Sequence, residues 1–272
     1  MIVRILAAAA SIAAPAIVAP AGAAPAELTA EQQKTVDSLI AAGLADSVAY
    51  GLLESLTTRV GPRLAGTDAE ARARDWAVVE LKRLGFENVR IEPYAMDAWT
   101  RVRESAAIAS PFPQKLHATA LGGSVSTPEG GITAEIARFT SMAELRAAPA
   151  GSLAGKIVFV DEKMTRTEDG SGYGVAVAKR SGAAVEGARR GAVAAIIRSI
   201  GTDSHRFPHT GVMQYQEGVA KIPALAISNP DADQLARAMA SAGGPVKVAV
   251  EVETRVIPGA PGGNVIGEIK GR

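Results

Sequence analysis

The chain has 272 residues, with 29 Lys+Arg against 28 Asp+Glu, no cysteine, three histidines and 28 glycines. A hydrophobic share of 47% is that of a globular protein of one large domain or two modest ones. A net charge of +1 without a basic run excludes the electrostatic footprint of a nucleic-acid binder. The lack of cysteine excludes disulfides, a thiol nucleophile and thiolate-held metals.

Residues 1–23 read as a secretory signal peptide. Arg4 precedes an apolar stretch from Ile5 to Ala19, and Ala21-Gly22-Ala23 supplies a small-residue cleavage site. Pro15 and Pro20 interrupt the stretch, which is short for a membrane span. Removal of Arg4 leaves 28 cationic against 28 anionic side chains. The expected location is therefore secreted or periplasmic, with no membrane attachment after cleavage.

Thr29-Ala30-Glu31-Gln32 fits a capping box, followed by Val36, Leu39 and Ile40 at helical spacing, with Gly43 as the expected stop. A second helix carries Val48, Leu52, Leu53 and Leu56, and Arg59 to Gly66 is turn-like. Thr67-Asp68-Ala69-Glu70 is another capping box. It opens a helix with an apolar stripe of Ala73, Trp76, Ala77, Leu81 and Leu84, closed by Gly85. Asn88 to Glu92 then alternates like a strand. Further β-like segments fall at 102–109, 116–120 and 132–138, and buried-strand runs at Ile157–Val160, Ala192–Ile197 and Ile222–Ile227. An alanine-rich helix is expected from Gly174 to Arg190. Another is expected from Asn229, as cap, with Pro230 in its first turn. The fold class is α/β: a helical part of an α/β domain over 24–104, an inserted β-rich α+β domain over 105–255, and 256–272 as a linker (Pro258–Gly263) and one strand.

Candidate chemistry is sparse. His205 and His209 stand four apart, the helical spacing of two metal ligands, but Pro208 lies between them and no glutamate follows His205. A polar loop packing Phe207 explains the segment better, and His117 stands alone on a β-like stretch. Gly170-Ser171-Gly172-Tyr173-Gly174 matches no phosphate-binding pattern and reads as a flexible surface loop. There is no G-x-S-x-G elbow, and Asp203-Ser204-His205 are adjacent rather than brought together from separate loops. Asp231 and Asp233 suit the positive end of a helix. No catalytic, cofactor-binding or metal-ligating residue is assigned from these residues.

Three stretches in order resemble the protease-associated domain: Leu153 to Val160 with Gly155-Lys156, Gly191 to Ser199, and Ile222 to Ile227. Pro208-His209-Thr210-Gly211, Tyr215, Gly218-Val219 and Lys221-Ile222-Pro223 are similar to the carboxypeptidase Q (plasma glutamate carboxypeptidase) family, as are Gly61 to Thr67 and the helix through Trp76. The resemblance covers residues 31–271. It implies a zinc-dependent exopeptidase with two co-catalytic zinc ions, a peptide substrate and a peptidase domain interrupted by the protease-associated insert; homodimerisation stays open. The family's first ligand segment, His-x-Asp, follows a strand like Asn264–Gly271, and no counterpart of it or of the general-base glutamate is found here. The chain is thus expected to be an N-terminal, inactive part of such an enzyme, with no tight zinc binding of its own. The insert could shape the substrate entrance with His209 or Tyr215 near it, although a packed loop explains the same residues. The alternatives are a stand-alone exported binding module built on the protease-associated domain, and a small-molecule or nucleotide binder.

Overall fold

Ile157, Val158, Phe159 and Val160 are all buried, and the fold is organised by where alternate members of that run point. In the computed structural model, which describes residues 28–271, they form β5 (Ile157–Val160), flanked in parallel by β4 (Ile132–Phe139) and β6 (Ala194–Arg198). A further parallel strand, β7 (Ala224–Ile227), follows β6. Ile157 and Phe159 face one layer with Ile196, Leu225 and Leu235, the last from α7 (Asn229–Ser241). Val158 and Val160 face the other layer with Ile197, Ala226 and Leu145 from α4 (Met142–Ala147), and Ala183 and Ala184 from α6 (Ala178–Arg189). Strands covered on both faces must be apolar throughout, which is why these runs do not alternate in sequence.

Antiparallel strands complete the sheet. Its order is β2-β1-β8-β4-β5-β6-β7-β3, with β1 at Glu87–Ser110, β2 at Gln114–Leu116, β3 at Ala118–Ala120 and β8 at Lys247–Glu268. β1 and β8 pair along nearly their whole length, from Glu87↔Glu268 to Ser110↔Lys247, with four register irregularities. β4 pairs with β8 only over residues 132–135, so the far half of the β1–β8 pair is a two-stranded ribbon. α3 (Asp68–Arg83) packs on that ribbon. Its stripe of Ala73, Trp76, Ala77, Leu81 and Leu84 is half-buried as expected, and Trp76 Nε1 donates to Ser55 Oγ at 3.0 Å. Gly66, at φ +76°, admits the ribbon closely: a Cβ there would stand 2.6 Å from Ala98 Cβ and 2.9 Å from Ala260 Cβ.

The chain divides into two compact units at Leu53/Glu54. The described part of the first holds α1 (Ala30–Ala45) and the start of α2 (Val48–Arg59). The Thr29–Gln32 capping box forms in both directions, Thr29 Oγ1 accepting from Gln32 N and Gln32 Oε1 from Thr29 N. No residue of α1 is buried, and Leu39, Ile40 and Leu44 are exposed.

Several expectations are corrected. Pro258–Gly263 is not a linker. It lies inside β8, where Pro261, Gly262 and Gly263 pair with Ala95, Tyr94 and Pro93, because an extended partner strand satisfies the backbone that its Pro/Gly content suggested was free. The strand beyond it continues the same pairing, Val265 and Ile266 opposite Ile91 and Arg90. The glycine-rich segment at 170–174 is not a flexible loop: Gly170, at φ +74°, turns the chain into α5 (Ser171–Ala176). The second capping box is half made, Thr67 accepting from Glu70 N while Glu70 pairs with Arg74. The cap of α7 is Ser228 rather than Asn229, and α1 runs past Gly43 to Ala45. The expected signal peptide lies outside the described residues.

Candidate functional site

Ligand sites in parallel sheets gather beyond the carboxyl ends of the strands, and that end carries most of the buried charge here. Asp161 directly follows β5. Its carboxylate, fully buried, receives Arg138 Nη2 from β4 at 2.6 Å and Arg198 Nε from the end of β6 at 2.6 Å. Arg198 reaches on to Asp233 Oδ1 of α7 at 2.7 Å, where Lys163 also lands at 3.1 Å. Burial alone would raise the Asp233 carboxyl, but hydrogen bonds from Arg198 and Lys163 outweigh it and hold it below its ordinary value. Beside this chain, Lys179 of α6 is wholly buried and donates to the Glu162 carbonyl at 2.7 Å. Burial pushes its ammonium down to about 8, against the opposing pull of Glu162.

A second knot sits at the start of α7. Asp231, buried, accepts from Ser228 Oγ at 2.6 Å and from His117 N at 2.8 Å, and it pairs with Arg206. His117 Nδ1 lies 3.1 Å from the same carboxylate. Asp231 and Asp233 thus do more than complement a helix dipole; they tie loops and strands to it.

The third group lies along the loop between β6 and β7. His209 N donates to Ser199 Oγ at 2.8 Å, and the His209 ring nitrogen Nδ1 faces the Ile200 carbonyl. Thr210 Oγ1 receives Arg101 Nη2 at 3.5 Å, and Gly211 O receives Gly122 N at 2.9 Å, with Met213 N returning to Gly122 O at 2.8 Å. The guanidinium of Arg180 from α6 packs on Gly211, where a Cβ would stand 2.6 Å from its Nη1 and would push it aside. Arg180 Nη2 donates to Tyr173 Oη at 2.9 Å, and the Tyr173 and His209 rings are 5.9 Å apart.

The three histidines are not brought together. His117 serves Asp231, His205 Nδ1 is 3.2 Å from Asp203, and His209 faces a backbone carbonyl. The expectation that the loop packs Phe207 is wrong: Phe207 is 76% exposed and meets only the edge of the His205 ring among aromatic neighbours. The Tyr215 hydroxyl is committed internally, donating to Ile222 O at 2.7 Å and accepting from Val125 N at 3.0 Å; burial raises its pKa. Tyr173 and Arg180 escape sequence reasoning, because a tyrosine in a glycine-rich run and an arginine in an alanine-rich helix carry no spacing signal. Among the described residues, no group of three or more His, Asp or Glu could hold a metal ion. The residues present therefore do not fit a zinc centre.

No family model matches the chain. Carboxypeptidase Q of Bos taurus is 38% identical over 239 residues, which are 88% of this chain and 49% of that protein. Carboxypeptidase Q of Homo sapiens is 35% identical over 238 residues, again 88% and 49%. The crystal structure of a peptidase M28 precursor from Shewanella amazonensis superposes with a TM-score of 0.83 at 46% identity, over 88% of this chain and 54% of that one. A zinc aminopeptidase from Bacillus subtilis, at TM-score 0.54 and 19% identity over 82% of this chain and 47% of its own, shares the fold alone. The chain spans about half the length of the curated relatives it matches.

Proposed function

We propose that this chain, similar to carboxypeptidase Q along 88% of its length and over half of that protein, is the metal-free, N-terminal part of a zinc-dependent exopeptidase of that type that is exported. Peptide-bond hydrolysis near a chain terminus, in the manner of an aminopeptidase or dipeptidase, would belong to the whole enzyme. Its two zinc ions and general base would sit in the half of the relatives that this chain does not match. Residues 24–104 with 256–272 would contribute to the peptidase domain, and 105–255 would be its protease-associated insert. The N-terminal pattern of Arg4, apolar stretch and small residues supports export.

The observation that carries this reading is the pairing of similarity along 88% of the chain with the lack of a metal-ligand cluster among the described residues. A co-catalytic zinc pair needs several fixed nitrogen and oxygen ligands with supporting partners, and the two fully buried carboxylates, Asp161 and Asp231, are paired with arginines. The test joins metal analysis to activity. The purified chain, loaded with zinc and dialysed, should retain no stoichiometric metal and hydrolyse no dipeptide. The coding DNA beyond Arg272 should continue in frame and soon encode His-x-Asp. Stoichiometric zinc with turnover by this chain alone, or a stop codon with no such frame, overturns the proposal. A stop codon would leave the stand-alone binding module, which the completeness of the core around β5 and β6 favours as second reading.

A further inference from the structure

Three cations are buried among the described residues, Lys179, Arg180 and Arg198. Arg198 is ion-paired with Asp161 and Asp233, and Lys179 donates to the Glu162 carbonyl and is drawn by the Glu162 carboxylate. Arg180 is only 9% exposed, yet no carboxylate among the described residues forms an ion pair with it. Its Nε is buried without a hydrogen-bond partner, and the Tyr173 hydroxyl is the one side-chain group it is bonded to among the described residues. Burying a guanidinium without an anion is costly, so a fold that keeps it there is matched to an anion from outside.

We propose that Arg180, Tyr173 and His209 form a recognition site for a carboxylate, the free C-terminal carboxylate of a peptide. The donors are set up for it. The Tyr173 hydroxyl accepts from Arg180 and so keeps its own proton to donate. His209, its Nδ1 set against the Ile200 carbonyl, places its ring 5.9 Å from that of Tyr173 and so walls one side of the site. Arg180 Nη1 makes no hydrogen bond to another described residue, while Gly211 beneath it is pinned to Gly122 and holds the guanidinium plane in place. The site is therefore rigid before any ligand arrives. Its surroundings favour an amino-acid carboxylate over a phosphate. Val175, Phe207 and Val212, each within two residues in sequence of Tyr173, His209 or Gly211, are 69%, 76% and 73% exposed and offer apolar surface to a peptide side chain.

The carboxylate's belonging to a peptide rests on the exopeptidase reading; the anion site is a property of this chain by itself. The experiment is a titration of the chain, followed by the ring resonances of Tyr173 and His209, with Ala-Phe, Ala-Phe amide and inorganic phosphate. Ala-Phe should move both rings saturably, the amide at least tenfold more weakly, and phosphate should not displace the peptide. Arg180→Gln should weaken Ala-Phe at least tenfold. Should that variant fail to fold, Tyr173→Phe, which keeps the ring packing, should weaken it several-fold with an unchanged melting temperature. No response to Ala-Phe, an equal response to the amide, preferential binding of phosphate, or wild-type binding by Tyr173→Phe overturns the proposal. Carboxylate binding in a chain later shown to belong to no peptidase would leave the site standing and remove only its peptide assignment.

Discussion

The parallel strands β5, β6 and β7 contain no exposed residue, whereas the outer ribbon of β1 and β8 buries little beyond Ala98, Ala260 and Gly262. Both are made of well-paired strands, so hydrogen bonding does not distinguish them. Coverage does: the inner strands have helices on both faces, while the ribbon has α3 and leaves Tyr94, Val102 and Val256 exposed. The inner region is a finished core. The outer one carries apolar side chains whose burial the described residues do not provide.

The contrast breaks first at Phe159. It is wholly buried at the centre of the inner sheet, so Phe159→Ala should cost about 3–5 kcal/mol, read as a lower urea midpoint with unchanged slope. Val256→Ala, on a side chain 63% exposed, should stay within about 0.5 kcal/mol of wild type. Comparable losses at the two sites would mean that the ribbon is as tightly packed as the core.

Next comes Asp161, on which two arginines converge. Asp161→Ala leaves Arg198 with Asp233 alone and Arg138 with none of its ion pairs, for a loss of about 3 kcal/mol. Gly66→Ala probes the ribbon in return. The positive φ and the contact with Ala98 and Ala260 predict about 1–3 kcal/mol, with faster hydrogen exchange confined to the ribbon and α3.

What the sequence shows follows the same division. The buried runs around Ile157, Ala194 and Ala224 are legible because a strand covered on both faces must be apolar at every position. The helix caps at Thr29 and Thr67 are legible because capping is local chemistry. Pro258–Gly263 misleads, since its pairing depends on β1, more than 160 residues away in the register Ala95↔Pro261. The candidate site is hidden for the same reason. Tyr173, Arg180, His209 and Gly211 come from α5, α6 and a loop, and only the tertiary fold sets Arg180 against Gly211. The short motif around Gly211 marks the place, but nothing in it names the arginine.

The smallest effect expected is one of pH, and it sharpens the comparison from within the core. Lys179 has a folded-state pKa near 8 against an ordinary value of 10.5, so the native state disfavours its charged form. Below about 8 the ammonium is charged in both folded and unfolded chains, and the penalty is present in full. Between 8 and 10.5 the unfolded chain binds more protons than the folded one, so stability from this group rises with pH. Lys179→Met removes the titration while keeping an unbranched side chain. The variant's melting temperature, relative to wild type, should therefore fall as pH is raised through that window, whatever the offset at neutral pH. A pH-independent difference between Lys179→Met and wild type would mean that the buried ammonium stays charged throughout, held by the Glu162 carbonyl and carboxylate more strongly than burial opposes it.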